Sequence, residues 1–168
     1  NLRPGERLDD LLIDNLKIIQ PEDGFRFAID AVLLAHFATV RQGTKAVDLG
    51  AGTGVIGLLL AARGAGRVMG IEINHQMAEM AQRSVELNGL ADCVQMLEGD
   101  LRSMNGLLNP GEWELVVSNP PYRPVGQGCI NPSDALAIAR HEITATLQDV
   151  VNAAKYLVKY RGRFAMVH

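Results

Sequence analysis

From Ala46 onward, short apolar runs alternate with stretches whose apolar residues recur at helical spacing. The short runs predict five strands, at 46–49, 67–72, 93–97, 114–118 and 163–167. Because a helix returns the chain to the end of the sheet where the previous strand began, this alternation is typical of parallel strands covered by helices. It predicts an α/β fold of Rossmann-like type, a three-layer sandwich with a mainly parallel sheet.

Helix signals accompany these strands. A helix begins near Val55, and apolar residues between 77 and 85 predict another, with Asn74 as its cap and Gly89 beyond its end. The segment 147–158 has a capping box at its start, and Gly162 is predicted to close it.

The segment before the sheet is predicted to cover it. We expect a helix at 30–38 with Leu33, Leu34 and Phe37 facing inward, and an irregular cover over residues 1–29. With 168 residues and 48% hydrophobic content, the chain is long enough for one domain with a sizeable core. The prediction is a single domain over 1–168, with 1–45 as the cover and helix and 46–168 as the core.

Charge and cysteine content exclude several classes. The net charge of −3 argues against a protein that coats nucleic acid, so any RNA contact must be local. Cys93 and Cys129 lie far apart without a CxxC pair, which predicts neither a metal site nor a disulfide framework and favours a reducing, cytoplasmic setting. The longest apolar stretches, around 32–40 and 55–62, are too short to span a membrane, so we expect a soluble protein.

A glycine-rich turn follows the first strand of the sheet. Gly50, Gly52 and Gly54 alternate with other residues just before the helix at Val55. Glycine permits a tight turn and lets a ligand approach the backbone closely. The dinucleotide fingerprint would need a third glycine where Val55 stands, and a tight strand-to-helix connection without a ligand remains the alternative.

Acidic residues follow the next two strands. Glu72 ends the second strand, 24 residues after Asp48, where a carboxylate can accept hydrogen bonds from both ribose hydroxyls. Asp100 follows the third strand, and it can accept from the amino group of an adenine or serve as a helix cap. A solvated strand end is the alternative for Glu72. Since the carboxyl ends of parallel strands meet at one edge of the sheet, we expect these residues to line one crevice.

Asn119-Pro120-Pro121-Tyr122 follows the fourth strand. The side-chain oxygen of Asn119 and the carbonyl oxygen of Pro120 can each accept a hydrogen bond, and together they can hold both hydrogens of one NH2 group. Tyr122 offers a ring for stacking. The two prolines restrict the backbone, so the acceptors are held in place in advance. The run predicts a holder for a flat amine, with a rigid Pro-Pro turn as the alternative. Arg123 is predicted to meet a phosphate or to be merely solvated.

In this order, the glycine turn, Glu72, Asp100 and the Asn-Pro-Pro-Tyr run resemble the motifs of S-adenosylmethionine-dependent N-methyltransferases with a seven-stranded Rossmann-like sheet. The resemblance covers about 24–168. More closely, residues 24–34 and the stretch from Asn119 through Asn131-Pro132 to Arg140-His141-Glu142 resemble the bacterial tRNA adenine-N6 methyltransferases that act on position 37 of a valine tRNA.

The resemblance implies a cofactor, S-adenosyl-L-methionine, a tRNA partner, and a role for each matching residue. It assigns the methionine part of the cofactor to the turn, the ribose to one acid, the adenine to the next strand end, and the target base to the run after the fourth strand. The residues, in that order, are Gly50, Gly52 and Gly54; Glu72; Asp100 and Leu101; and, as the catalytic residues, Asn119, Pro120 and Tyr122. We add Asp48 to the predicted cofactor site, and Pro121 and Arg123 to the predicted substrate site.

The family's sheet has two further strands after the fifth, and none follows His168 here. The resemblance therefore implies that the strand at 163–167 is an unprotected edge, which favours self-association between chains and weak cofactor binding.

Three other functions remain open at this stage. Methylation of a glutamine N5 atom in a protein uses the same Asn-Pro-Pro-Tyr run. An NAD-dependent oxidoreductase is disfavoured by Val55 and by that run. A noncatalytic nucleotide-binding module is the third.

Overall fold

The computed structural model describes residues 2–23, 27, 29–120 and 145–167. Within these ranges the chain forms seven strands, four α-helices and one 3₁₀ turn. In chain order they are β1 Glu6–Asp10, β2 Lys17–Pro21, α1 Ile29–Phe37, β3 Lys45–Leu49, α2 Val55–Ala62, β4 Arg67–Glu72, α3 His75–Leu87, β5 Val94–Glu98, the 3₁₀ turn Leu101–Ser103, β6 Trp113–Ser118, α4 Leu147–Leu157 and β7 Val158–Met166.

Five of the strands form one parallel sheet in the order β5-β4-β3-β6-β7. This confirms the predicted fold class. The central strand, β3, pairs with β4 on one side and β6 on the other, and Leu49 lies opposite both Ile71 and Ser118. The chain crosses from one half of the sheet to the other between β5 and β6, so the carboxyl ends of β3 and β6 border the crevice where open α/β sheets bind ligands.

Alternate residues of the strands face two separate hydrophobic cores. Ala46 and Val68 face α1, α2 and α3, whereas Val47 and Met69 face α4 and the 3₁₀ turn. Because successive side chains of a strand point to opposite faces, a sheet covered on both faces needs apolar residues at nearly every position. Asp48 breaks that rule on the central strand.

The N-terminal segment is a β-hairpin, not the predicted irregular cover. β1 and β2 pair antiparallel and lie on α3, where the hydroxyl of Ser84 accepts from the Ile19 N–H at 2.9 Å and the Asn88 side chain accepts from the Lys17 N–H at 2.9 Å. Arg83 of α3 also pairs with Glu6 of β1. These contacts join residues more than 60 positions apart, so no local pattern could announce the hairpin.

Helix α1 presents a different face to the core than predicted. Leu34 is buried as expected, together with Ala31 and Ala35, but Leu33 is 59% exposed and Phe37 79% exposed. The helix is apolar nearly all round, so its sequence carries no amphipathic signal that selects one face.

The capping box of α4 is confirmed. The hydroxyl of Thr146 accepts from the Asp149 N–H at 3.2 Å, and the Asp149 carboxylate accepts from the Thr146 N–H at 2.8 Å. The predicted end at Gly162 is wrong, since α4 ends at Leu157 and Val158 already pairs with Trp113 in the sheet. Residues 159–162 form an excursion within β7 before pairing resumes at Arg163.

Candidate functional site

The strand ends that carry the candidate residues are held side by side. The hydroxyl of Ser118, the last residue of β6, is buried and donates to the Leu49 carbonyl of β3 at 2.8 Å. The N–H groups of Gly50 and Ala51 both donate to the Ile71 carbonyl, at 2.9 and 3.0 Å. These bonds tie the glycine turn to both neighbouring strands, and they place Asn119 directly beside it.

The three glycines of the turn are required for two different reasons. All three have positive φ, at 74° for Gly50, 55° for Gly52 and 86° for Gly54. Nothing lies within 4 Å of a Cβ built on Gly50 or Gly52, so those two border open space. A Cβ on Gly54 would lie 2.8 Å from Met96 Cε and 3.0 Å from Ala81 Cβ. The lack of a side chain at Gly50 and Gly52 therefore leaves room for a ligand close to the backbone, whereas the lack of one at Gly54 leaves room for Met96 and Ala81.

Met96 of β5 fills the space beneath the turn. Its side chain contacts Gly54 and also lies against Gly57 and Gly70. A Cβ on Gly57 would lie 3.3 Å from the Met96 Cε, and a Cβ on Gly70 would lie 2.3 Å from the Met96 sulfur. Methionine suits such an irregular gap because its chain is unbranched and flexible.

Glu72 is bonded to the turn itself. Its carboxylate accepts from the Gly52 N–H at 2.8 Å and, through the other oxygen, from the Asn74 N–H at 2.9 Å. Each carboxylate oxygen has two lone pairs, so both retain a position for a further donor. The prediction of a ribose acceptor at Glu72 is compatible with a carboxylate oriented in advance by the backbone.

Asp48 is a buried carboxyl group on the central strand. It is completely buried, and neither side-chain oxygen has a hydrogen-bond partner among the residues that the structure describes. Desolvation, followed by the negative charge of Glu72, raises the pKa of Asp48 to about 7. A buried polar group without a partner is costly, and such groups are concentrated at ligand sites. Sequence reasoning named Asp48 but gave no sign of its burial.

Asp100 caps the 3₁₀ turn, which is one of the two roles predicted for it from the sequence. Its carboxylate accepts from the Arg102 N–H at 2.9 Å and pairs with the Arg102 guanidinium, which lowers the pKa of Asp100. Leu101 is half-buried against the second core. A role of Asp100 toward an adenine therefore requires the carboxylate to share its oxygens with Arg102.

Asn119 is half-buried and Pro120 is buried, immediately beyond β6. Pro121, Tyr122 and Arg123 lie outside the described residues, so their predicted contacts with a substrate stay predictions.

One pair at this edge was missed by sequence reasoning. Nδ1 of His75, the first residue of α3, lies 2.7 Å from an Oε atom of Glu98 at the end of β5, and this hydrogen bond raises the pKa of His75. Glu98 is in register with Glu72, so the strand pattern offered a signal for it.

In the part of the chain that the structure describes, no helix is both long and apolar enough to cross a membrane. Over the same residues, no group of three or more His, Cys, Asp or Glu side chains is placed to hold a metal ion.

Comparison with known proteins identifies the family. The family described as "Methyltransferase small domain" matches residues 28–168. The chain belongs to the methyltransferase small domain family. That match contains the glycine turn, both acids and the Asn-Pro-Pro-Tyr run, so these four motifs of the resemblance all lie inside the methyltransferase small domain.

Two relatives and one solved structure illustrate the similarity. A tRNA1(Val) (adenine(37)-N6)-methyltransferase from Dickeya chrysanthemi is 31% identical over 140 residues, covering 82% of this chain and 54% of the relative. One from Porphyromonas gingivalis is 34% identical over 149 residues, covering 84% and 58%. The chain thus spans little more than half the length of these relatives.

The solved structure is a geranyl diphosphate C-methyltransferase from Streptomyces coelicolor in complex with S-adenosyl-L-homocysteine. It superposes with a TM-score of 0.63 at 16% identity, covering 82% of this chain and 44% of that one. At this identity the likeness shows a shared methyltransferase fold.

Proposed function

We propose that the full protein transfers a methyl group from S-adenosyl-L-methionine to N6 of an adenine in tRNA, at position 37 of a valine tRNA. The observation that carries the proposal is the position of Asn119 and Pro120 beside the open glycine turn, fixed by the bond from Ser118 to Leu49. The names of the relatives support the substrate.

The cofactor fits the residues on this edge. Gly50 and Gly52 leave room for its methionine part, the Glu72 carboxylate retains acceptor positions for the ribose, and Asp100 with Leu101 lies beside the next strand end for the adenine. The buried carboxyl of Asp48, which lacks a partner among the described residues, provides an acidic group beneath a cationic ligand. When bound, S-adenosylmethionine supplies an electrophilic methyl group on a positively charged sulfur.

The protein's contribution to the chemistry is orientation. The lone pair of adenine N6 is delocalised into the ring, which makes the nitrogen a poor nucleophile. Asn119 and Pro120 would accept hydrogen bonds from its two hydrogens and so aim the lone pair at the methyl carbon. The N–C bond forms as the C–S bond breaks, and the surplus proton on N6 then leaves to solvent. Because that proton leaves readily, no strong general base is needed.

The test is methyl transfer by the full protein from methyl-labelled cofactor to total tRNA or to a protein extract. We expect label in tRNA, and digestion should release it as N6-methyladenosine from a single position. Label found only in protein would instead assign the site to glutamine N5. Binding of a nicotinamide dinucleotide without binding of S-adenosylmethionine would assign it to an oxidoreductase.

Replacing Gly52 by alanine should separate cofactor binding from folding. A side chain at positive φ costs about 1–2 kcal/mol of stability, and Gly111 is a matched control because it has φ 67° and equally open space. Gly52→Ala and Gly111→Ala should lower the unfolding free energy by similar amounts, whereas only Gly52→Ala weakens S-adenosylmethionine binding, by at least about tenfold. Chemical denaturation and calorimetry measure the two effects. Equal cofactor affinity in the two variants would remove Gly52 from the site.

We further propose that residues 1–168 act as a single methyltransferase domain in the cytoplasm. β7 pairs only with β6 among the described residues, so its outer edge is the surface through which two copies of this chain would associate.

A further inference from the structure

A groove of about 470 Å³ lies at the opposite end of the sheet from the candidate site. One wall is the loop at 39–44, before β3, and the other is the excursion at the start of β7, residues 159–163. We call it the amino-end groove, because it opens at the amino ends of β3 and β6.

The amino-end groove is cationic in a chain that is acidic as a whole. Its charged lining consists of four cations and one carboxylate: Arg41, Lys159, Arg161, Arg163 and Glu114. The carboxylate is already engaged, since Glu114 accepts from Lys159 Nζ at 2.7 Å and from the Lys45 N–H at 3.0 Å. None of the three arginines forms an ion pair with another residue in the described part of the chain. Their donors are available to an anion.

An exposed aromatic ring stands among these cations. Tyr160 is 87% exposed, and the guanidinium carbon of Arg161 lies 5.5 Å from the centre of its ring. Arg161 has φ 61°, a left-handed conformation that is uncommon outside glycine. Arginine planes and aromatic rings are the surfaces on which unpaired bases stack, and arginine forks pair with phosphate oxygens.

We propose that the amino-end groove binds the phosphate backbone of the RNA substrate, with Tyr160 stacking an unpaired base. This inference rests on the proposed function. The six residues of β6 separate the groove from Asn119 by about 17 Å at the usual rise of a strand. An RNA that occupies both places must extend past the edge of the sheet, so the groove selects a folded RNA over a free nucleotide.

The shape of the groove favours RNA over a membrane surface. Its cations line a concavity between two loops, with Arg41 on one loop and Lys159, Arg161 and Arg163 on the other, and a concavity of this kind suits a single strand of backbone. Anionic bilayers are instead recognised by basic clusters that protrude toward a flat leaflet. Local cation density also explains how a chain with net charge −3 can hold RNA.

The test compares the full protein with its Arg161→Gly/Arg163→Gln variant in binding an unmodified tRNA transcript across a salt series. Glycine at position 161 relieves the left-handed arginine, so the variant should fold at least as stably in thermal unfolding. We expect about tenfold weaker binding at 0.1 M salt and a salt slope reduced by about 1.5, as two lost phosphate contacts predict. KM for tRNA should rise with kcat unchanged. Lys155→Gln, an exposed cation on α4 outside the groove, is the control and should behave as the parent.

Parental tRNA affinity and salt slope in the double variant would overturn the inference. So would unchanged tRNA binding together with a loss of binding to phosphatidylglycerol vesicles, which would assign the groove to a membrane. The two proposals fail separately. Weaker tRNA binding by the variant, with no methyl transfer to tRNA by the parent, keeps the groove and refutes the function. Transfer to tRNA with a parental KM in the variant keeps the function and refutes the groove.

Discussion

Replacing Asn119 by alanine is expected to lower kcat for methyl transfer by about 10²–10³-fold, while S-adenosylmethionine affinity stays within about twofold. The reason is that the amide oxygen of Asn119 would orient the target nitrogen without touching the cofactor. Single-turnover assays with tRNA, paired with calorimetry for the cofactor, measure the two quantities. Asn119→Asp keeps an acceptor oxygen at the same place and should retain more activity than the alanine variant.

The matched control is Asn109→Ala. Asn109 is an exposed asparagine whose side chain donates to Glu112 at 3.1 Å, at the amino end of β6 instead of its carboxyl end. It should leave transfer unchanged. Full transfer activity in Asn119→Ala would refute the orienting role, and an equal loss of cofactor affinity would move Asn119 from the substrate to the cofactor.

Replacing Asp48 by asparagine is expected to change how stability depends on pH. In the folded state the pKa of Asp48 is raised to about 7 from 3.8, so between these values the folded protein holds a proton that the unfolded chain releases. The contribution of Asp48 to stability is therefore lost as pH rises from about 4 to about 7. At 1.36 kcal/mol per unit, the full effect is on the order of 4 kcal/mol.

Denaturation of the cofactor-free protein between pH 4 and pH 8 measures this effect. Asp48→Asn should gain stability relative to the parent as pH rises, by up to about 4 kcal/mol over that range. The exposed Asp92→Asn variant is the control, and its difference from the parent should stay nearly flat. Glu72→Gln should reduce the pH dependence without abolishing it, because desolvation is the larger cause. A pH-independent difference for Asp48→Asn would show that the carboxyl is already charged when folded.

The parallel sheet could be predicted because its signals are local. Strand 67–72 was predicted with the bounds observed for β4, and β3, β5 and β6 were predicted to within one residue at each end. Each is a short apolar run bounded by glycine, polar or charged residues. The glycine turn and Glu72 could be predicted for the same reason, since topology alone brings the carboxyl ends of β3 and β4 together.

Features that depend on distant contacts could not be predicted. The hairpin strand β1 is mostly polar and exposes Leu8. Arg83 of α3 holds β1 through Glu6, whereas Ser84 and Asn88 hold the partner strand β2 through Ile19 and Lys17. The burial of Asp48 depends on what covers the sheet, and the amino-end groove depends on two loops meeting. These properties belong to packing between segments, whereas periodicity reports only how one segment alternates.

The side chain beneath the glycine turn limits which substitutions the turn can accept. Met96 occupies the space that side chains at Gly54, Gly57 and Gly70 would need, so these four positions share one fixed volume. A side chain at Gly54 or Gly70 would have to displace the end of the Met96 side chain, so it is accommodated best where residue 96 is smaller. Packing thus couples the turn predicted to hold the cofactor to β5, and a substitution at Met96 is constrained by the size of the residues that it packs against.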